Sequence, residues 1–171
     1  MTANASFIHG PLAGAELSVR GTLKVYRLKS PARPVRKPAG EGHYGYDRNT
    51  KGPWDWRAWE QGEEVLVVEA NGEKSDKWTT ELKLGVGAYR LVFETKDPNG
   101  KTVKDYDHVC VFDPAAKSLG LAVPEFFCAE KGTVKVGETM RVYWGTGYES
   151  GFCRVKVTNN GKVILDKMVG L

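Results

Sequence analysis

Hydrophobic and polar positions alternate with a period of two along much of the chain, the spacing of strands that bury one face. In "EEVLVVEA" Val65, Val67 and Glu69 alternate with Leu66, Val68 and Ala70, and in "GAYRLVFET" Tyr89, Leu91 and Phe93 alternate with Arg90, Val92 and Glu94. A third run sets Cys153, Val155 and Val157 against Arg154, Lys156 and Thr158. An earlier one, in "AELSVRGTLKVYRLKS", sets Leu23, Val25 and Arg27 against Lys24, Tyr26 and Leu28. Asn-Gly pairs at Asn71, Asn99 and Asn160 sit between strand-like runs, and their tolerance of positive φ suits type I′ turns. Three hairpins are therefore expected, with the side chain of Asp97 setting the second turn. The pattern predicts an all-β chain folded as an antiparallel β-sandwich.

Between Ser30 and Gly62 the alternation dissolves into a stretch dense in proline and glycine. A connection of this length inside a compact domain is uncommon and usually carries function or disorder. It contains "GPWDWRAWEQGEEV", which puts Trp54, Trp56 and Trp59 within six residues, just before the strand that begins near Glu63. Two readings stand. The rings either fasten the insertion to the sheet or form a platform for sugar rings, extended by Tyr44 and Tyr46. The cost of exposing tryptophan favours anchoring, and truncating Trp56 to alanine is then expected to cost about 3–5 kcal/mol.

A second break, "DPAAKSLGLAVP" from Asp113 to Pro124, divides the chain. Residues 1–115 are expected to form a fuller sandwich with the irregular insertion at about 30–62, and residues 116–171 the start of a second, incomplete one. The second part reads as about four strands, few for an independent domain. The chain is therefore expected to belong to a longer protein. Exposed strand edges would invite pairing with a second copy, so a homodimer is also expected.

Composition changes this picture little. The formal charge of +4 is spread along 171 residues without a block of like charges, which gives no footprint for nucleic acid. No run of about eighteen apolar residues supports membrane insertion. Cys110, Cys128 and Cys153 have no metal-ligand spacing, and read either as reduced core thiols or with Cys128 bridged to Cys153. His9, His43 and His108 are scattered, and Ser150 in "GTGYESG" has no evident base. Asp105, Asp107 and Asp113 are too sparse for a calcium loop. No catalytic residue, metal site or cofactor is expected.

Several short motifs carry a resemblance. "GTLKVYRLKSP" is followed by the insertion, then by "GVGAYRLVFETKDPNGKTVKDYDHVCVFD" and "FFCAEKGTVKVGETMRVYWGT". Gly87, Tyr89 and Leu91, the turn residues Asp97 and Gly100, and then Val136, Gly137 and Glu138 together resemble consecutive macroglobulin-like domains of the bacterial α-2-macroglobulin-like family. The resemblance implies seven-stranded antiparallel sandwich domains of immunoglobulin or fibronectin III-like type, strung in a large periplasmic or extracellular protein that traps proteases, with neighbouring domains as immediate partners. The family's thioester motif is absent, since Cys110, Cys128 and Cys153 precede Val-Phe-Asp, Ala-Glu-Lys and Arg-Val-Lys. The implied role is therefore a non-catalytic scaffold. The alternative is a carbohydrate-binding sandwich using Trp54, Trp56 and Trp59.

Overall fold

A computed structural model describes residues 2–8, 19–36, 52–72, 77–97 and 99–170. The chain is all-β and antiparallel. Strands β1 (Thr2–Ile8), β2 (Val19–Leu28), β3 (Gln61–Gly72), β4 (Lys77–Lys83), β5 (Gly87–Lys96) and β6 (Thr102–Val111) make the first part. Strands β7 (Phe126–Ala129), β8 (Val142–Gly145), β9 (Phe152–Asn159) and β10 (Lys162–Gly170) make the second. A four-stranded sheet in the order β3-β2-β5-β6 carries the structure, and β1 pairs with β4, β7 with β8 and β9 with β10.

The large sheet buries one of the two faces that the alternation offers. Leu23 and Val25 of β2, Ala70 of β3, Tyr89, Leu91 and Phe93 of β5 and Val111 of β6 form one buried cluster. Leu82 of β4 and Leu84 just beyond it close that cluster from the opposite side, helped by Trp78, whose ring lies 6.2 Å from Phe93. Leu66 and Val68 point inward with Ala70, whereas Val65 and Val67 remain exposed. Close approach is needed at Gly21, where a Cβ would meet the Glu94 carbonyl at 2.5 Å and the Phe93 ring at 2.7 Å. Tyr89 keeps its polar end satisfied by donating to the Gly85 carbonyl at 3.0 Å.

The three Asn-Gly pairs behave differently. At Asn160-Gly161 both residues have positive φ, 47° and 77°, and a two-residue turn joins β9 to β10, the expected type I′ geometry. At Asn99-Gly100 only Gly100 is left-handed, with φ 81°. The Gly100 amide donates to the Asp97 carbonyl, and the Asp97 carboxylate accepts from the amides of Asn99 and Lys101 at 2.9 and 2.8 Å. Asp97 thus sets the turn as expected, but the loop is a three-residue one ending in a left-handed glycine rather than type I′. Asn71-Gly72 makes no hairpin: both residues stay in β3, paired with Arg20 and Val19 of β2. Its strand is claimed by β2 while β4 pairs with β1, because the apolar residues of β4 are needed on the opposite wall of the core.

On the outer face Glu94 bridges Lys24 of β2 at 3.0 Å and Lys104 of β6 at 2.7 Å, tying three adjacent strands. Its carboxyl is held below the ordinary value, first by the hydrogen bond from Lys104 and then by that from Lys24. The unfolded chain therefore takes up this proton more readily than the folded one, so the contribution is complete above the ordinary carboxylate range and lost as pH falls through the lowered value. Glu94→Gln should flatten the acid limb of stability measured against pH, and an unchanged limb would rule out a linkage through this carboxylate. Leu23→Ala, at a side chain wholly removed from solvent, should cost about 2–5 kcal/mol in chemical denaturation. Val67→Ala on the open face should stay within about 0.5 kcal/mol.

Candidate functional site

The insertion is held by the end of the sheet it leaves. The Lys29 amide donates to the Glu60 carbonyl at 2.9 Å, bringing the chain before and after the insertion together. Asp55 then caps a single turn of 3-10 helix, Trp56–Ala58, by accepting from the Arg57 amide at 3.0 Å. The turn separates the three tryptophans. Trp59 is buried, at 4% exposure, and its indole N–H donates to the Pro53 carbonyl at 2.9 Å. Trp56 is half-buried, with the Arg57 guanidinium over its ring at 4.5 Å and the His108 ring edge-on at 6.2 Å. Trp54 is half-buried and its ring covers Gly52, where a Cβ would come within 2.3 Å of it.

Trp59 joins Leu28, Ala88, Leu121 and Val123 in a second buried cluster, with Trp56, Cys110, Leu119 and Phe126 at its margin. Leu28, Ala88 and Cys110 belong to the outer face of the large sheet, by the alternation of β2, β5 and β6. One end of that face is therefore covered by two irregular segments, the tryptophan loop and the stretch leading to β7. The second part of the chain is tied to the same place. The Gly147 amide donates to the Val123 carbonyl at 2.7 Å, Thr146 Oγ1 donates to the Pro124 carbonyl at 2.8 Å, and the Arg36 side chain donates to the Tyr148 hydroxyl at 3.1 Å.

Between these parts lies a cleft of about 1040 Å³, walled by Trp54 and Trp56 on one side and by Phe126, Phe127, Trp144 and Phe152 on the other. Arg36, Arg57, Asp55, Glu125 and His108 give it charges of both signs. Arg57 lies within 3.5 Å of Asp55, and Arg90 Nε is 3.3 Å from His108 Nε2. The volume suits a small ligand or a few residues of extended chain. Of the ring faces sugar stacking would require, that of Trp56 is taken by Arg57 and Trp59 is buried, which leaves Trp54 and Trp144 as the open tryptophans of the cleft. Trp144 and the Phe126-Phe127 pair went unnoticed in the sequence as cleft residues. A signal existed, because a four-residue strand cannot bury two adjacent phenylalanines on one face.

The other candidate residues are dispersed. All three cysteines are free, so the Cys128 to Cys153 bridge is not formed. Cys153 does not line the cleft that Cys110 and Cys128 share, and Cys128 is close enough to Cys110 for its charge to reinforce the effect of burial, which pushes the Cys110 thiol up to about 11. Asp105 and Asp107 accept from the amides of their own successors, Tyr106 and His108, at 2.8 and 2.7 Å, and Asp113 accepts from the Ala115 amide at 2.9 Å. Among the described residues no group of three metal-capable side chains occurs, and no described helix is long and apolar enough to cross a membrane. Ser150 lies at the cleft, in the bend before β9. His9, His43, Tyr44 and Tyr46 fall outside the described residues.

No family model, curated protein or solved structure matches the chain. The large truncation cost expected at Trp56 belongs to the deepest ring instead. Trp59→Ala should lower stability by about 3–5 kcal/mol in urea denaturation, the range for a packed aromatic. Trp54→Ala should cost less than half as much, and equal costs at the two positions would contradict the separation of their environments.

Proposed function

We propose that this chain is a non-catalytic structural and interaction module of a large α-2-macroglobulin-like protein, with neighbouring domains as its direct partners and proteases as the targets of the full-length protein. One observation carries the reading. A filled sandwich passes through a packed linker into hairpins whose apolar side chains face outward. Phe127, Val142, Phe152, Ile164 and Met168 are all exposed, Phe152 to 81%. Apolar surface of this kind marks an interaction site, and a two-stranded hairpin is marginal on its own. Strands β7 to β10 thus suit a surface that a further domain covers.

The residues that carry the family resemblance have structural work to do. Tyr89 and Leu91 fill the core. Gly100 supplies the left-handed residue of a hairpin, and Gly137, at φ 90°, sits in a turn closed by the Glu138 amide donating to the Lys135 carbonyl at 3.0 Å. These are scaffold roles, in keeping with a module that contributes no covalent chemistry. A periplasmic or extracellular location follows from the resemblance alone. The second reading, a carbohydrate-binding module, rests on the aromatic walls of the cleft and is weakened by the engagement of Trp56 and Trp59.

Immunoblots of source cells with an antibody to this chain should detect a very large protein, and brief protease treatment should split it into two defined pieces. A single band near 18.9 kDa would reject the proposal. Titration with polysaccharides should leave tryptophan fluorescence without a saturable change. A saturable signal that Trp54→Ala abolishes in a folded protein would favour the sugar-binding reading instead.

A further inference from the structure

The floor of the cleft brings β6 and β7 together through one aromatic contact. Phe112, directly after β6, meets Phe126 edge-on with ring centroids 4.9 Å apart, and meets Tyr143 at 5.3 Å. Cys110 lies two residues before Phe112, and Cys128 lies two residues after Phe126 and is paired with Tyr143 across the β7–β8 ladder. In β7 the period of two puts Cys128 on the same face as Phe126, and Cys110 and Phe126 pack at the margin of one buried cluster. Both thiols line the same cleft and both are half-buried.

We propose that Cys110 and Cys128 form an oxidisable pair, which a low-molecular-weight disulfide converts into an intramolecular bridge tying the β7–β8 hairpin to the first sandwich. Cys128 loses its proton to solvent, and its thiolate attacks one sulfur of the reagent. The reagent's S–S bond breaks, one small thiol leaves, and a mixed disulfide remains on Cys128. Cys110 then gives up its proton and attacks the Cys128 sulfur, forming the protein S–S bond and releasing the second small thiol. Two protein thiols are oxidised and one reagent disulfide is reduced. Burial, reinforced by the charge of Cys128, keeps the Cys110 thiol protonated, with its value raised to about 11. Cys110 is therefore the resolving rather than the attacking partner. Cys153, on β9, does not line this cleft and takes no part.

The test uses the whole chain, incubated with oxidised glutathione, alkylated and digested with trypsin without reduction. The three cysteines fall in separate tryptic peptides, Asp105–Lys117, Ser118–Lys131 and Val142–Arg154. Mass spectrometry should find the first two joined with the loss of two hydrogens, while Cys153 is recovered alkylated or glutathionylated. Cys153→Ser should keep the link, and Cys110→Ser should leave glutathione trapped on Cys128. The proposal is overturned if Cys153→Ser takes up glutathione without forming the link, or if Cys128 is found joined to Cys153. The Cys153→Ser result decides the matter even where Cys110→Ser does not fold.

Discussion

Strand β5 is buried on both faces over most of its length, and the remaining architecture answers that constraint. Tyr89, Leu91 and Phe93 fill one side, while Ala88 and Val92 are equally removed from solvent on the other. A half-exposed strand needs one covering layer, but this one needs two. The β1–β4 pair brings Leu82 against the inner face. At the end of the outer face no regular layer is available, so Trp59, Leu121 and Val123 are drawn there from irregular segments. A large ring on a loop supplies the apolar area that a strand would otherwise provide.

That second cluster also explains how the two parts of the chain are joined. The segment leading to β7 is an apolar cover, with Val123 wholly buried and its carbonyl accepting from the Gly147 amide. Phe112, Phe126 and Tyr143 continue the contact as a ring trio. Beyond it the balance changes. Strands β9 and β10 expose most of their side chains, and a bidentate pair in which Arg154 donates to Asp166 at 2.7 and 2.8 Å braces their open surface. The Arg154 guanidinium holds the Asp166 carboxyl below its ordinary value. Such a hairpin has register without a core.

Polar residues protect the edge of the large sheet. β6 is an edge strand, and the amides of Tyr106 and His108 are already engaged by the carboxylates of Asp105 and Asp107. An edge occupied in this way, and charged, is a poor template for a second chain. The acids that drew attention as oxygen ligands thus serve the backbone. Lys24, Glu94 and Lys104 cross-link the outer face beside them.

The sequence alone determined the alternation of β2, β3, β5 and β9 and the turn at Asp97, because side-chain alternation and turn chemistry act over a few neighbouring residues. The assignment of Leu66, Val68 and Ala70 to the core and of Val65 and Val67 to solvent was nearly legible: the strand pattern offered both faces, and only the sheet chose between them. The pairing of β3 with β2 rather than β4 was not legible, since Asn71-Gly72 fits a turn equally well until the opposite wall of the core claims β4. Nor could the sequence rank Trp54, Trp56 and Trp59, or tell that Cys128 has Cys110 rather than Cys153 as its neighbour. Depth and proximity depend on which distant segments cover a face, and that is decided by the burial of apolar area across the whole fold.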